Sequence, residues 1–393
     1  MQKIIIVGGG PAGLFAAYLL LKKNYQVDLY DHSGGLGKKF LIAGNGGLNL
    51  THSEDLITFA EKYTDNKKLF LELLSEFTPN DLREFCKELG IETFVGTSGR
   101  VFPKDLKASK LLLSWIKILK NNPNFRLYLK HSLIDITAEK VLTFKTNREE
   151  VEIQGDKVIL AIGGASWAKT GSNGKWIKLL SKIGIELEEL KPMNCGFEAS
   201  WTDYLIKKLH RSHLKNIELI IGSNRVRGEV MITPYGIEGG AVYALSKFIR
   251  KEIEINGFAT ISIDLKPNNT LIEVQEKIKK KKVKDSISNH LRKSLKLNKT
   301  SLTLLNECSQ EITAKMIKEL PIRLERARPI NEAISTSGGV KFSGLSSFFE
   351  SKSITGLYFA GEMLDFDAPT GGYLLQGCFS TANRVVRGIL EGN

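Results

Sequence analysis

The sequence contains few cysteines and no long apolar run. Its 393 residues include four cysteines, and their wide separation excludes a C-x-x-C redox pair and a zinc pattern and gives no disulfide framework. No segment reaches the roughly 18 apolar residues that a membrane span needs, and the short apolar run at residues 4–7 is closed by glycines instead of a leader cleavage site. None of the six histidines belongs to a metal or triad arrangement. We therefore expect a cytoplasmic protein with no metal ion and no membrane association.

The N-terminal segment combines a short apolar strand with a glycine-rich turn. Residues 3–7 run directly into Gly8-Gly9-Gly10-Pro11-Ala12-Gly13, and a helix is predicted to follow. In dinucleotide-binding folds the first glycine permits the tight turn, the second lets a pyrophosphate approach, and the third lets the helix pack on the sheet. The next predicted strand, residues 25–31, ends at Asp31, where a carboxylate that binds ribose hydroxyls is expected. The predicted dinucleotide contacts are Gly8, Gly10, Pro11, Ala12, Gly13 and Asp31.

The C-terminal segment indicates which dinucleotide is bound. An apolar strand closed by Gly361 and Glu362 precedes Asp367, and Thr370-Gly371-Gly372 then opens an apolar helix. This order resembles the flavin motif of two-part flavoproteins, in which the acid contacts the ribityl or pyrophosphate part of FAD and the helix amides face the flavin pyrimidine edge. A helix N-terminus there would stabilise the negative charge of reduced flavin. Residues 157–165, which include Gly163, resemble the returning strand of the same proteins. FAD is the predicted resident cofactor.

Four further segments extend the resemblance over nearly the whole chain. Residues 37–51, 98–103, 228–237 and 368–377 resemble successive motifs of the BaiN/RdsA (YhiN-like) flavoproteins. The resemblance implies an FAD-dependent oxidoreductase of the α/β class, with a Rossmann-like FAD-binding domain, a β-barrel-like insert and a small helical insert. One departure is that Gly47-Leu48 stands where this family often has Arg-Cys, so chemistry that depends on that cysteine does not transfer.

The implied domains have the following boundaries. Residues 1–190 and 330–393 are expected to form the discontinuous FAD-binding domain. Residues 191–266, with part of 320–345, form the β-barrel-like insert, and residues 267–320 form a basic helical insert. Within the first part, residues 53–90 and 107–120 have helical periodicity, and residues 125–158 read as a meander of short strands.

The glycine-rich loop at residues 37–51 supplies further candidate contacts. Gly44, Asn45 and Asn49 are expected to approach the flavin ring. Lys39 and Arg100 are candidates for holding the pyrophosphate or a substrate.

A lysine-rich stretch carries most of the formal net charge of +13. Residues 277–299 contain ten Lys and Arg residues and one acid, and they include no aromatic residue. One interpretation is a solvated surface. The other is a phosphate-binding patch for structured RNA, because clustered lysines release counterions and the missing aromatics argue against base stacking. The candidate RNA contacts are Lys279, Lys280, Lys281, Lys282 and Lys284.

The resemblance also implies a reaction. Members of this family are linked to the reduction of carbon–carbon double bonds, including the conversion of uridine to dihydrouridine in ribosomal RNA. Such a reduction needs a hydride from reduced flavin and a proton from an acid. Cys378 and Cys195 are candidate proton donors, although a buried free cysteine more often serves only in packing. Tyr235 and Tyr373 are additional candidates.

The electron donor and the substrate stay open at this point. No second G-x-G-x-x-G unit follows residue 13, so either NAD(P)H docks transiently over the flavin or another reductant serves. Three function classes are compatible with the sequence: a reductase of uracil in RNA, a reductase or dehydrogenase of a small enone-like molecule, and a non-catalytic flavin-binding or RNA-binding protein. The intact flavin elements argue against the last.

Overall fold

The computed structural model describes residues 3–44, 46–308 and 311–392. The strands are Lys3–Val7 (β1), Gln26–Asp31 (β2), Thr51–His52 (β3), Thr93–Val95 (β4), Arg100–Pro103 (β5), Phe125–Leu129 (β6), Ser132–Ile136 (β7), Val141–Lys145 (β8), Glu150–Gln154 (β9), Lys157–Leu160 (β10), Leu187–Met193 (β11), Phe197–Glu198 (β12), Ser212–Ile221 (β13), Asn224–Thr233 (β14), Gly236–Glu238 (β15), Ala259–Asp264 (β16), Leu320–Leu324 (β17), Arg326–Ala327 (β18), Ser335–Val340 (β19) and Leu357–Phe359 (β20).

The helices are Pro11–Lys22 (α1), Lys38–Ala43 (α2), Leu56–Glu61 (α3), Lys67–Glu76 (α4), Pro79–Glu88 (α5), Ala108–Lys120 (α6), Trp176–Lys182 (α7), Asp203–Lys208 (α8), Gly240–Asn256 (α9), Leu271–Lys279 (α10), Ile287–Ser294 (α11), Lys299–Cys308 (α12), Ala314–Lys318 (α13) and Tyr373–Glu391 (α14). The chain divides into two compact units. The first comprises Met1–Lys191 and Ser335–Asn393, and the second comprises Pro192–Ile334. None of the described helices is long and apolar enough to cross a membrane.

A five-stranded parallel sheet in the order β20-β10-β1-β2-β6 organises the first unit. The predicted apolar run of β1 lies at its centre, and Ile4, Ile5 and Ile6 are fully buried because helices cover both faces of such a sheet. From β1 the chain continues to β2 on one side, and β10 adds later on the other. This reversal creates a crevice beyond the carboxyl end of β1, where α/β proteins bind their ligands.

Aromatic side chains hold the helices of this unit together. Phe15 of α1 packs against Phe379 of α14 and Phe85 of α5, with ring centroids 4.9 and 5.0 Å apart. Trp115 of α6 completes the group and lies 5.0 Å from Phe85. Burial of these large rings fixes α1, and therefore its N-terminus, relative to the crevice.

The local predictions for this unit are correct in part. The helical segment 53–90 forms α3, α4 and α5, and α5 begins with a capping box between Thr78 and Asp81. The meander predicted for residues 125–158 is wrong at its two ends. Only β7, β8 and β9 form an antiparallel meander, whereas β6 and β10 join the parallel sheet. Short apolar strands do not reveal from their own sequence which neighbour they pair with.

The second unit contains an antiparallel sheet of seven strands in the order β17-β16-β13-β14-β15-β12-β18. Its two edge strands, β17 and β18, are separated in sequence by Glu325 alone, so the sheet curls back on itself as a nearly closed barrel. Along β17, buried side chains alternate with exposed ones. The helix α9 packs on the sheet. The lysine-rich segment between α10 and α11 belongs to this same unit, and residues 265–270 connect β16 to α10.

Candidate cofactor cleft

The three motif glycines at the end of β1 have different surroundings. A Cβ on Gly8, which has φ +110°, would lie 2.3 Å from the carbonyl oxygen of Ala161, and a Cβ on Gly13 would lie 2.0 Å from that of Gly8. Gly10 differs, because a Cβ there would meet no atom within 4 Å. Gly8 and Gly13 therefore allow close backbone packing, whereas the missing side chain of Gly10 leaves open space at the start of α1.

This open space belongs to a cleft in the first unit. Four short segments at the carboxyl ends of strands of the parallel sheet line it: residues 8–12 at the end of β1, 31–33 at the end of β2, 161–163 at the end of β10 and 361–362 at the end of β20. The remaining lining residues are Gly35, Gly37, Lys38, Lys39, Phe40, Thr170, Gly171, Ser172 and Cys378. Of the predicted site residues, the cleft therefore brings together Gly8, Gly10, Pro11, Ala12, Asp31, Lys39, Gly163, Gly361, Glu362 and Cys378.

Asp31 at the end of β2 ties two of these segments together. Its Oδ2 accepts a hydrogen bond from the Gly9 amide at 2.7 Å, and its Oδ1 accepts from the amide and hydroxyl of Ser33 at 2.8 and 2.7 Å. His32 Nδ1 lies 3.5 Å from the same Oδ1. The carboxylate thus sets the shape of the glycine turn and brings negative charge to that end of the cleft.

An ion pair bridges the opposite side of the cleft. Lys39 Nζ contacts Glu362 Oε2 at 2.6 Å and also donates a hydrogen bond to Ser166 Oγ at 2.7 Å. The amide of Thr336 donates to Glu362 Oε1 at 3.2 Å, and the Thr336 hydroxyl accepts from the Ala165 amide at 2.8 Å. Glu362 is 8% exposed, so the pair is largely shielded from water and its geometry is held by several partners.

The cleft has the chemical features that the phosphate part of a dinucleotide requires. The N-terminus of α1 offers free amides and the positive end of the helix dipole. Ser172 Oγ, in the lining, is buried and has no hydrogen-bond partner among the described residues. Such a hydroxyl is costly to bury unless a ligand satisfies it. The residues present therefore fit an FAD molecule, which when bound supplies hydride-transfer chemistry.

A second group of predicted residues lies outside the cleft lining. Gly372 has φ +96°, and a Cβ there would lie 2.6 Å from Thr51 Cα, so the start of α14 packs directly on β3. Asn49 Oδ1 and Thr51 Oγ1 are buried without a hydrogen-bond partner among the described residues. The first residue of β5, Arg100, is exposed.

Four other predicted contacts have different surroundings. Gly44 ends α2 and packs on α6, because a Cβ would lie 2.4 Å from Ala108 Cβ. Asp367 is buried, and Thr370 with Gly371 is half-buried. Asn45 lies outside the described residues.

The two candidate cysteines belong to different units. Cys378 lies in α14, lines the cleft beside Gly361 and is 8% exposed. Burial, followed by the nearby Glu362 carboxylate, raises the pKa of its thiol to about 12, so the thiol is protonated at neutral pH. Cys195 is 1% exposed in the core of the second unit, and burial raises its pKa to about 12 as well.

The five candidate RNA contacts surround the connection between α10 and α11. Lys279 pairs with Glu276 at 3.0 Å, and Lys281 Nζ donates to the main-chain carbonyl of Asp285 at 2.9 Å. The other three, Lys280, Lys282 and Lys284, are exposed and have no acidic partner within 4 Å among the described residues.

Sequence reasoning missed several polar residues of this site. Ser166 and Thr336 organise the Lys39–Glu362 pair, and Ser172 lines the cleft. Ser172 follows Gly171 shortly after β10, which is a weak local signal. Thr336 has none, since it reaches the site from β19, about 170 residues further along the chain from Ala165.

The fold and the cleft define a dinucleotide-binding oxidoreductase of the flavoprotein class. The chain belongs to the family described as HI0933-like protein Rossmann domain, which it matches over residues 2–388. This is an FAD-dependent oxidoreductase family, as the flavin motifs predicted.

Two curated relatives match nearly from end to end. The chain is 23% identical over 419 residues to a 3-dehydro-bile acid delta(4,6)-reductase from Clostridium scindens, with 100% of both proteins covered. It is 24% identical over 394 residues to a ribosomal RNA dihydrouridine synthase from Haemophilus influenzae, with 96% of both covered. Among solved structures, a 3-ketosteroid delta1-dehydrogenase from Sterolibacterium denitrificans superposes with a TM-score of 0.56 at 11% identity, covering 100% of both chains. At that identity the superposition shows a shared fold alone.

Proposed function

We propose that this protein is an FAD-dependent reductase of electron-poor carbon–carbon double bonds, with uracil in structured ribosomal RNA as its substrate. The cleft supports the cofactor part of the proposal, because free helix amides and the open space at Gly10 are what a pyrophosphate needs. The relatives support the reaction. A delta(4,6)-reductase and a dihydrouridine synthase both, by name, reduce a double bond.

The choice of RNA depends on the charge of the second unit. Residues 192–334 contain 25 Lys and Arg residues and 16 Asp and Glu residues. The excess of basic over acidic residues in this unit is the same as in the lysine-rich stretch 277–299 alone, so the rest of the unit is balanced in charge. Lys280, Lys282 and Lys284 are exposed near the fully exposed Val283, at the tip between two helices. Lys266 lies near Lys277 and Lys296 at the base of α10, and burial, followed by repulsion from these two lysines, lowers its pKa. A surface of this kind binds a phosphate backbone.

The reaction chemistry of uracil fits this class of enzyme. The C5=C6 bond of uracil is conjugated to the C4 carbonyl, so C6 accepts hydride and C5 then accepts a proton. A lysine, an arginine or a main-chain amide near the carbonyl oxygen would lower the barrier by stabilising developing negative charge. NAD(P)H is the proposed donor of electrons, docking transiently, since the sequence has one dinucleotide motif only.

A second candidate is the reduction of a small enone-like molecule. The bile acid reductase among the relatives favours it, because that protein matches this chain over its full length at nearly the same identity as the dihydrouridine synthase. In this case the lysine-rich stretch is a solvated surface without a role in turnover.

Mapping of reduced uridines distinguishes the two candidates. Ribosomal RNA from cells with and without the gene is digested, and dihydrouridine is located by its mass increase of about two hydrogen atoms over uridine, a product of hydride and proton addition. Loss of a dihydrouridine site in the deletion strain, restored by the wild-type gene but not by a Gly10→Val variant, is the expected result. An unchanged dihydrouridine pattern would contradict the RNA substrate and favour the small molecule.

A further inference from the structure

Three polar side chains meet where α14 begins. The rings of Tyr373 and His52 are stacked, with centroids 5.5 Å apart and an interplanar angle of 19°. Glu54 Oε2 lies 3.7 Å from His52 Nδ1. The edge of the Tyr373 ring lies 2.8 Å from the position of a Cβ on Gly371, so this phenol–carboxylate–imidazole cluster adjoins the glycine turn assigned to the flavin pyrimidine edge.

The phenol ring of Tyr373 is held rigidly. It is 6% exposed, and the Phe59 ring packs edge-on against it with centroids 4.8 Å apart. Its main-chain carbonyl accepts a hydrogen bond from the Tyr63 hydroxyl at 2.7 Å. A group that transfers a proton must be fixed in this way, because the transfer depends on donor geometry.

The imidazole of His52 is oriented by two hydrogen bonds. Its Nε2–H donates to the carbonyl of Ser98 at 2.9 Å, and Nδ1 accepts from the amide of Glu54 at 3.3 Å. These partners fix the orientation of the ring, with Nδ1 towards residue 54.

The carboxylate of Glu54 is incompletely satisfied. Its Oε1 is buried and has no hydrogen-bond partner among the described residues. The same holds for Asn49 Oδ1 and Thr51 Oγ1, a few positions earlier on the same segment. Burying three oxygens without hydrogen bonds within six residues lowers the stability of a segment that has only a structural role. They therefore indicate that a ligand binds here.

We propose that Tyr373 donates the proton that completes the reduction of the double bond, and that Glu54 and His52 are its positioning residues. The proposal rests on the function proposed above and on the placement of the flavin pyrimidine edge at Gly371. It assigns the proton donor to a residue in α14 five positions before Cys378.

The chemistry balances as follows. The carbon β to the carbonyl accepts hydride from reduced flavin, and the α-carbon then takes the proton as the O–H bond of Tyr373 breaks. Water returns a proton to the phenolate. Burial, followed by the nearby Glu54 carboxylate, raises the pKa of Tyr373, so the phenol is protonated at every physiological pH. The nearby Arg100 opposes this shift and so favours the transient phenolate. The α-carbon of the hydride adduct is far more basic than a phenolate, so the transfer is favourable.

Tyr373→Phe tests the inference, with Tyr18→Phe as the matched control. Tyr18 also contacts a carboxylate, that of Glu88, and it is not among the residues that line the cleft. We expect Tyr373→Phe to bind FAD and to be reduced by dithionite like the wild type. Reoxidation by uracil-containing RNA or an enone should fall about 10²- to 10⁴-fold, the usual contribution of a general acid, whereas reoxidation by oxygen stays unchanged. Tyr18→Phe should match the wild type in all these steps.

A titration gives a readout that is independent of turnover. In protein labelled at tyrosine Cζ, the resonance missing from Tyr373→Phe is followed by NMR as pH rises. Burial is the main cause of the raised pKa of Tyr373 and persists in Glu54→Gln, but the contribution of the carboxylate is lost. We therefore expect Tyr373 to ionise at lower pH in Glu54→Gln than in the wild type. Glu88→Gln should leave this resonance unchanged.

The outcomes separate the two proposals. If the wild type reoxidises with an alkene and Tyr373→Phe does so at the same rate, the inference about Tyr373 is overturned while the reductase function stands. If Cys378→Ala alone loses the step, the thiol is the donor. If the wild type reoxidises with neither RNA nor an enone, the proposed function falls and the inference with it.

Discussion

At the scale of single residues, the site depends on glycines whose roles are physically distinct. Gly8 and Gly13 allow backbone contacts that no side chain would permit, whereas Gly10 borders empty space. Gly372 combines a positive φ with close contact to the backbone of Thr51. Substitutions at these positions therefore separate effects on folding from effects on cofactor binding.

Gly10→Val should abolish FAD binding without unfolding the protein. The valine side chain would enter the space assigned to the pyrophosphate. The apoprotein should lose only about 1 kcal/mol of stability or less, because φ of −85° is allowed for valine and a Cβ at this position would meet no atom within 4 Å. Gly240→Val is the control, since Gly240 at the start of α9 also has open space. The measurement is FAD content after reconstitution, together with the melting temperature of both apoproteins. A yellow Gly10→Val protein with wild-type FAD affinity would contradict the assignment of the cleft.

Gly372→Ala should lower both stability and FAD affinity. An alanine at positive φ costs about 1–2 kcal/mol, and the 2.6 Å approach to Thr51 adds strain. Gly184→Ala isolates the first effect, because Gly184 has φ +77° but no atom within 4 Å of a Cβ. We expect the free energy of unfolding, from urea titration, to fall further for Gly372→Ala than for Gly184→Ala. Equal decreases would mean that the packing of α14 on β3 is looser than the structure shows.

At the scale of elements, the sequence predicted best those features that are determined by residues close together in the chain. The strand–glycine–helix unit of β1 and α1, the acid that ends β2 and the capping box of α5 are local, so their spacing determines them. The pairing of β6 with β2 and the delivery of Thr336 from β19 are set by packing between distant segments. No local pattern encodes those contacts. The orphaned oxygens of residues 49–54 were equally out of reach, because only three-dimensional packing shows that they are buried.

The connection between α10 and α11 yields the prediction for this scale. Changing the exposed Lys280, Lys282 and Lys284 to Gln should make the affinity for structured RNA less dependent on salt. The slope of the logarithm of the binding constant against the logarithm of the salt concentration should fall by about one unit for each phosphate contact that is lost. Changing Lys279 and Lys281 should have less effect, because an ion pair and a main-chain hydrogen bond already engage them. The control changes Lys117, Lys120 and Lys145, which are exposed in the first unit. Equal slopes for the test and control variants, measured by filter binding between low and high salt, would make the patch a solvated surface.

At the scale of the whole molecule, the features on which the two proposals depend lie in different units. The first unit contains the cleft and the Tyr373 cluster, and the second carries the lysine-rich connection. The chain is similar over nearly its full length to one relative with a bile acid in its name and to another with ribosomal RNA in its name, so overall similarity does not choose between the two substrate classes.

Single-turnover reoxidation of the reduced flavin decides whether this protein reduces carbon–carbon double bonds. Holoprotein is reduced to the hydroquinone level without oxygen, mixed with unmodified ribosomal RNA, and followed by flavin absorbance while dihydrouridine is counted by mass spectrometry. We predict that one dihydrouridine appears for each flavin reoxidised, and that the Gly10→Val protein gives none. Reduced holoprotein that stays reduced in the presence of both RNA and an enone, yet reoxidises normally in air, would contradict the proposed reductase function.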